Sequence, residues 1–236
     1  MGATFVLVHG AWHGGWCWVK VRRLLTDAAH VVYTPTLTGL GERAHLARPE
    51  VDLETHVQDV VAVLETEELR NVVLAGHSYG GMVISGVAAR VKNRIERLVY
   101  LDAFVPGAGE SVFSLMPPER AEAFRKAAAE ADGWRIAPPL PARFGVTSQR
   151  DTDWLQRRLV PQPLRTFEQA LATAPAGDLA RTYVYCSKPA TGTFDRFAEA
   201  LRDDRKWKFH DVKTGHDAMV TAPGETAKIL MAEGKG

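Results

Sequence analysis

Residues 71–82, which are the most informative about the fold, read Asn71-Val-Val-Leu-Ala-Gly76-His77-Ser78-Tyr79-Gly80-Gly81-Met82. The first five of these residues form a short apolar run with the length and composition of a buried β-strand. The glycines that follow predict a sharp turn, and the apolar segment from Met82 to Val91 has helical spacing. The stretch therefore predicts a strand, a tight turn and a helix, with Ser78 inside the turn.

On both sides of residues 71–82, strand-like runs alternate with helical patterns over much of the chain. The other strand-like runs cover residues 5–8, 30–34, 95–101, 182–186 and 207–212, and the other helical patterns cover residues 16–28, 52–65, 194–202 and 225–231. This alternation is typical of a mostly parallel sheet with helices on both faces. We therefore predict an α/β fold with a central sheet of about six strands.

The segment from residue 105 to residue 180 breaks this alternation. It contains nine prolines, helical patterns over residues 118–131 and 165–173, and no strand-like run comparable with the others. We interpret residues 105–180 as a helical lid inserted into an α/β core that is made of residues 1–104 and 181–236.

The composition limits the class of protein. The chain has 236 residues, a formal net charge of +1, 46% hydrophobic residues and 24% charged residues, as in soluble globular proteins. The small net charge gives no reason to expect a nucleic-acid partner. No apolar run approaches the roughly 20 residues needed to span a bilayer, and the first residues lack the pattern of a signal peptide. We expect a cytoplasmic monomer or homodimer without a membrane partner.

The cysteines and histidines give no sign of a metal site. Cys17 and Cys186 lie in apolar and aromatic surroundings, which favours buried reduced thiols, with a disulfide between them as the alternative. The eight histidines show no paired spacing of metal ligands. The sequence predicts neither a metal nor a cofactor.

Ser78 lies in the pattern Gly76-x-Ser78-x-Gly80, between a buried strand and a helix. In such a turn the central residue adopts a strained backbone conformation, and small residues two positions away relieve the crowding. The hydroxyl is then held at the N-terminus of a helix, where negative charge is favoured. We predict that Ser78 is a nucleophile, and the alternative is a glycine-rich turn in which the serine has no chemical role.

A serine nucleophile needs a base. His216 follows the last predicted strand, residues 207–212, and is the predicted base. His210 is the rival, but it lies inside that strand, and a purely structural role for His216 is the other alternative.

Attack on a carbonyl group also needs N–H donors for the oxyanion that forms. The amide of Tyr79, directly after the nucleophile, is one predicted donor. The amide of Ala11, in the loop after the first strand, is the other. Packing roles are at least as well supported as substrate contact for Trp12, His13 and Trp16, which lie near the same loop.

The acid that orients the base is harder to assign. The loop after the strand at 182–186 has no carboxylate between residues 187 and 192. Asp102, at the carboxyl end of the preceding strand, is the favoured candidate, because ligand sites form at that edge of a parallel sheet. Asp195 is the alternative, although it is expected at the start of a helix, where an acidic residue has a structural explanation.

Two runs resemble a known family: Val6-Leu-Val-His-Gly-Ala-Trp-His-Gly-Gly-Trp-Cys-Trp18 and Gly76-His-Ser-Tyr-Gly-Gly-Met82. They are similar to the plant methylesterase and hydroxynitrile lyase branch of the α/β-hydrolases, and most similar to its bacterial esterases, which include pyrethroid hydrolases. The resemblance covers both ends of the chain and fades in residues 105–180. It implies Ser78 as nucleophile, His216 as base, and an oxyanion hole formed by the amides of Ala11 and Tyr79.

Three positions differ from the residues found in either the lyases or the methylesterases of that branch. The lyases carry threonine in place of Gly10 and lysine in place of Asp217. Without the positive charge of that lysine, a departing cyanide ion is not stabilised, so an esterase is favoured over a lyase. The methylesterases place their acid where this chain has Pro189, so Asp102 is inferred from the strand order instead.

The predicted function is hydrolysis, through an acyl-enzyme, of a small carboxylic ester with a hydrophobic acyl or alcohol part. Alternatives are a lactone, amide or carbon–carbon bond hydrolase on the same site, or a protein that binds a small ligand without turnover. Six apolar side chains could line the pocket or pack in the core: Phe104, Phe113, Met116, Trp134, Phe144 and Trp154.

Overall fold

The computed structural model describes residues 2–175 and 177–234. Within these residues the strands are β1 Thr4–Val8, β2 Val31–Tyr33, β3 Val72–His77, β4 Ile95–Leu101, β5 Arg135–Ile136, β6 Gln162–Pro163, β7 Ala180–Cys186 and β8 Trp207–Val212. Six of them form one sheet in the order β2-β1-β3-β4-β7-β8, and every pairing in it is parallel. The predicted α/β fold with a six-stranded sheet is confirmed.

Helices cover both faces of this sheet. They are α1 Val19–Asp27, α2 Leu53–Thr66, α3 Gly80–Val91, α4 Val112–Leu115, α5 Pro118–Glu130, α6 Gln149–Gln156, α7 Arg165–Glu168, α8 Asp195–Leu201, α9 Ala218–Thr221 and α10 Pro223–Glu233. Helix α2 packs against α3, and α1 packs against α10. Strand β3 lies between these two pairs of helices, and all six of its residues are buried, as its continuous apolar run predicts.

Helix α2 shows how local sequence sets one of these elements. Asp52 accepts a hydrogen bond from the Thr55 N–H at 2.9 Å, and the Thr55 hydroxyl reaches back to the Asp52 N–H at 3.5 Å. This capping box satisfies amides that the first turn leaves without partners. Val57, Val60 and Leu64 recur on one face and are buried, so the helix begins and packs where the sequence predicts.

The strand order places one crevice at the sheet edge. The chain passes from β1 outward to β2 and then returns to β3 on the other side of β1. Loops that leave the carboxyl ends of β1 and β3 therefore diverge from neighbouring strands, and ligands bind at such points in open α/β sheets. Val8 is paired with Gly76 in this register, which brings the loop carrying Ala11 beside the turn carrying Ser78.

The segment between β4 and β7 holds four short helices, α4 to α7, and the antiparallel pair of β5 and β6. The predicted helix over residues 165–173 is too long, because α7 ends at Glu168. Gln169 leaves the helix, and its side chain accepts a hydrogen bond from the Glu54 N–H at 2.6 Å. Leu171 instead exchanges main-chain hydrogen bonds with residues 109 and 110. These long-range bonds override the local helical pattern.

Both cysteines lie in the core. Cys17 and Cys186 are buried and free, so the disulfide alternative is not found. Burial raises the pKa of both thiols well above the usual range. Among residues 2–175 and 177–234, none of the helices has the length and apolar character needed to cross a membrane.

Candidate active site

Ser78 occupies a strained backbone conformation at the tip of β3. Its φ angle is 55°, in the left-handed region that residues with a side chain rarely adopt. Three main-chain hydrogen bonds hold it there: its N–H donates to the Leu101 carbonyl at 3.2 Å, and its carbonyl accepts from Gly81 at 3.1 Å and from Phe104 at 3.2 Å. The turn is therefore fixed by the next strand and by the first turn of α3.

The glycines around Ser78 are required by close backbone contacts. A Cβ atom on Gly76 would lie 2.5 Å from the Gly80 carbonyl oxygen, and one on Gly80 would lie 2.8 Å from the Val8 carbonyl oxygen. A Cβ on Gly10 would lie 2.9 Å from the Cβ of Ser78. The Gly10 position that distinguishes this chain from the lyases thus lies against the serine, and a side chain there requires its neighbours to move.

The structure brings His216 and Asp102 together. His216 Nδ1 lies 2.6 Å from Asp102 Oδ2, and Asp102 Oδ1 accepts a hydrogen bond from the Cys186 N–H at 3.1 Å. Asp102 is 1% exposed and has a φ of 42°, so it too is held in a strained conformation at a strand end. Burial raises the pKa of the Asp102 carboxyl, although the hydrogen bonds from His216 and Cys186 oppose that effect.

The two rival residues lie elsewhere. Asp195 begins α8 and accepts a hydrogen bond from the Tyr185 hydroxyl at 2.8 Å. His210, on β8, has its Nε2 atom 3.5 Å from a carboxylate oxygen of Glu233. Neither residue lines the cavity that contains Ser78.

Aromatic side chains fix the plane of the His216 ring. The Phe194 ring stacks on it with centroids 5.0 Å apart and an interplanar angle of 10°, and the Phe144 ring lies 6.1 Å away. With Nδ1 held by Asp102, Nε2 is the nitrogen left for Ser78, and it makes no hydrogen bond to any residue that the structure describes. Ser78 and His216 line the same cavity.

The two predicted oxyanion donors line that cavity as well. Ala11 and Tyr79 are both buried there. Across the described ranges, neither amide N–H has a hydrogen-bond acceptor. Buried N–H groups are nearly always paired, so two unpaired amides beside a serine hydroxyl form a ready site for a developing negative charge.

His9, which the sequence analysis missed, holds one of these donors. The carbonyl of Gly10 belongs to the same peptide group as the Ala11 N–H, and His9 Nδ1 donates to that carbonyl at 2.8 Å. His9 Nε2 accepts from the Leu37 N–H at 3.0 Å, which fixes the tautomer. Burial lowers the pKa of His9 to about 3, so the ring is neutral. In the sequence, the His9-Gly10 pair directly after β1 was the pattern that could have indicated this role of His9.

A second buried pair, His13 and Asp217, lies behind the loop. His13 Nε2 is 3.1 Å from Asp217 Oδ2, its Nδ1 is 2.7 Å from the Ala11 carbonyl oxygen, and both side chains are at most 1% exposed. Burial disfavours a charged imidazole, but the Asp217 carboxylate outweighs it and raises the pKa of His13. Both ring nitrogens face acceptors, so the surroundings of His13 favour its imidazolium form.

One group of described residues has metal-ligand chemistry. The ligand atoms of His77, His216 and Asp217 lie within 4.8 Å of one another. Each residue already has a partner: His77 donates to the His216 carbonyl at 3.1 Å, His216 binds Asp102, and Asp217 binds His13. A metal ion would have to displace these bonds, and the prediction of a metal-free site stays a prediction.

The cavity has a volume of about 400 Å³ and a largely apolar wall. Of the six apolar candidates, Phe104, Met116 and Phe144 line it. The other three lie outside it: Phe113 packs on Phe167, Trp154 packs on Trp16, and the Arg135 guanidinium covers Trp134. Trp12 also lines the cavity, whereas His13 and Trp16 stack on each other outside it.

Comparison with known proteins gives the family. The sequence model of the Alpha/beta hydrolase family matches residues 5–229. The chain belongs to the alpha/beta hydrolase family. This α/β-hydrolase is 45% identical over 242 residues to the carbendazim hydrolyzing esterase of Nocardioides sp. (strain SG-4G), a match that covers 98% of this chain and 100% of that protein. The prediction of an enzyme is thereby confirmed, and esterase activity is supported.

Solved structures show the same fold. An extracellular α/β-hydrolase from a Paenibacillus species, described as sharing structural and functional homology with tobacco salicylic acid binding protein 2, matches with a TM-score of 0.86 and 25% identity over 99% of this chain and 100% of that chain. A pyrethroid hydrolase from Sphingobium faniae JZ-2 matches with a TM-score of 0.77 and 20% identity over 100% of this chain and 98% of that chain. The predicted resemblance is confirmed.

Proposed function

We propose that this α/β-hydrolase is a serine-dependent esterase that cleaves carboxylic esters with a hydrophobic acyl or alcohol part. The observation that carries the proposal is the 2.6 Å contact of the buried Asp102 carboxylate with Nδ1 of His216, which lines the same cavity as Ser78. Asp102 fixes the tautomer of His216, so that Nε2 can accept the proton of the serine hydroxyl.

The reaction proceeds in two halves. Ser78 attacks the ester carbonyl while His216 takes its proton, and the amides of Ala11 and Tyr79 hold the oxyanion of the tetrahedral intermediate. His216 then protonates the departing alcohol, which leaves an acyl group on Ser78. In the second half His216 activates a water molecule, which releases the acid and restores the serine.

The apolar wall supports a hydrophobic substrate. A cavity of about 400 Å³ is within the usual range for small-molecule sites. Rings from Trp12, Phe104, Phe124, Phe167 and Phe194 line it. Carbendazim, which the Nocardioides relative hydrolyses by its name, is a candidate substrate.

A labelling experiment and an ester panel test the proposal together. A fluorophosphonate probe should label the wild-type protein and Ser148→Ala, since Ser148 lies at the exposed start of α6. Ser78→Ala should not be labelled. Esters that vary in acyl and alcohol size, with carbendazim among them, should be turned over without added metal. An unlabelled wild-type protein that binds esters without cleaving them would instead be a ligand-binding protein.

We also propose a cytoplasmic location and a monomer or homodimer that works without nucleic acid or membrane. Two free buried thiols support a reducing compartment. Cell fractionation and light scattering of the purified protein test the location and the oligomeric state.

A further inference from the structure

Two arginines interrupt the apolar wall of the cavity. Arg120 lies in the first turn of α5, and Arg143 lies in the 3₁₀ turn Pro141–Phe144. Both line the cavity together with Ser78 and His216, and no aspartate or glutamate lines it. No carboxylate oxygen within the described parts of the chain comes within 4 Å of either guanidinium. Among the described residues, the cavity wall therefore carries two arginine cations and no carboxylate.

The position of Arg120 is costly for a charge. It is half-buried, and its guanidinium carbon lies 5.9 Å from the centre of the Phe124 ring. Burial and the positive charge of Arg143 both lower the pKa of Arg120, which means that its surroundings disfavour the cation. An arginine stays protonated even so, and a bound anion relieves this penalty.

The contacts of Arg120 leave most of its donors unused. One N–H group donates to the hydroxyl of Thr193, in the loop between β7 and α8. This contact joins the lid to the core, but a guanidinium has five N–H donors in a planar fork. The remaining donors match the two oxygens of a carboxylate. A purely structural link to Thr193 would not need a charge in an apolar wall.

We infer that the cavity prefers, over neutral esters of the same length, esters that carry a carboxylate at the end remote from the reacting ester group, and that Arg120 binds this carboxylate while Arg143 adds long-range attraction. The inference rests on the proposed esterase function and names its substrate class. The apolar wall binds the hydrocarbon between the two ends, and the two arginines select the charged end.

Matched substrates test the inference. Monomethyl esters of dicarboxylic acids of four to eight carbons place the carboxylate on the acyl side, and acetate esters of ω-hydroxy acids place it on the alcohol side. Each is compared with a neutral ester of the same length. The ratio of kcat/KM for the charged ester over the neutral ester should be highest at one length. At that length Arg120→Gln should lower the ratio about tenfold or more, as expected for loss of a charge-assisted contact.

Controls separate this inference from the function on which it rests. Arg150→Gln changes an exposed arginine outside the cavity and should leave the ratio unchanged. Added salt should lower the ratio of the wild type. Equal ratios in the wild type and Arg120→Gln at every length would overturn the inference while leaving the esterase intact. If neither ester is cleaved, calorimetry can measure the binding of both esters to Ser78→Ala. Tighter binding of the charged ester that is lost without Arg120 supports the anion site. Equal binding of the two esters rejects the anion site.

Discussion

The carboxylate of Asp102 lies 2.6 Å from Nδ1 of His216 and at the same time accepts the N–H of Cys186 at 3.1 Å. The second bond comes from β7, which pairs with β4 at the strand end that carries Asp102. The acid is thus oriented by the sheet itself. Its position does not depend on the loop after β7.

Replacement of this acid should separate orientation from folding. In Asp102→Asn the side-chain oxygen can still accept the Cys186 N–H, but the amide holds the His216 ring in the wrong tautomer. We expect kcat to fall by about 10³–10⁴-fold, as for the equivalent change in a serine protease. The thermal midpoint should change little. Asp195→Asn, measured in the same ester assay, should cost less than about tenfold, and the reverse pattern would assign the acid to Asp195.

The strain at Ser78 predicts a gain in stability when its side chain is removed. Glycine adopts a φ of 55° without the penalty that a side chain brings there. Ser78→Gly should therefore lose turnover by about 10⁶-fold and raise the free energy of unfolding by up to about 1 kcal/mol. Ser78→Ala keeps the strained Cβ and should lose the same turnover without that gain. Urea unfolding of the three proteins compares them, and a less stable glycine variant would argue against strain.

The buried His13–Asp217 pair predicts a pH dependence of stability. Because the folded pKa of His13 is raised above the unfolded value of about 6.5, the pair stabilises the fold below that pH and loses its contribution as pH rises through the folded pKa. In Asp217→Asn the imidazolium loses its counter-charge, so unfolding should become easier by about 3 kcal/mol at pH 6. Chemical denaturation across pH 6–9 measures both effects. An equal loss at pH 6 and pH 9 would mean that the pair is not ionised.

Glu233 predicts loss of stability in acid. Its side chain is 1% exposed, with Arg97 Nε at 3.1 Å and Lys208 Nζ at 3.2 Å. Burial alone would raise the pKa of Glu233, but contacts with His210, Thr182 and Lys208 outweigh it and hold the pKa at about 2. The ionised carboxylate therefore stabilises the fold above pH 4.5, and this contribution is lost as the pH falls toward 2.

Glu233→Gln should be less stable than the wild type at pH 7 by about 1–3 kcal/mol. The difference between the two proteins should shrink as the pH falls from 4.5 toward 3, because Glu233 takes up a proton in the unfolded wild type there but stays ionised in the folded protein. Glu199→Gln, an exposed change on α8, serves as the control for a lost surface charge. A constant difference across this pH range would contradict the lowered pKa.

The elements that sequence predicted well are those whose cause is local. The apolar runs of β4 and β8 give the same bounds in sequence and structure, and Asp52 begins α2 through contacts three residues away. A turn pattern and the strand order pointed to Ser78 and His216, which the structure brings to one cavity, and their chemical roles stay predictions. The sequence favoured Asp102 over Asp195 but left both open. The contact between Asp102 and Cys186 joins residues that are 84 positions apart, and such a contact is not visible in the sequence.

The features that could not be predicted from the sequence depend on contacts between residues far apart in the chain. The end of α7 is set by Glu54, 115 residues from Gln169. The pairing of Asp217 with His13 spans 204 residues, so the sequence could note only that a lysine is absent at that position. Arg120 looks like an ordinary charge at the start of a helix until the fold places it in the cavity wall. In each case the sequence shows which residue is present, but it does not show the distant residues that lie next to it in the fold.

The chain leaves the sheet at the end of β4 and re-enters it at β7, and these two strands are neighbours. Adjacent parallel strands need a crossover connection of about a dozen residues or more, and a longer connection can join them without altering their register. The residues proposed for bond cleavage, Ser78, Asp102 and His216, all lie outside residues 105–179. Much of the connection can therefore change in length or sequence during evolution, provided that contacts such as the Phe144 ring beside His216 are kept. New esters would come into reach in this way while the cleavage chemistry is inherited unchanged.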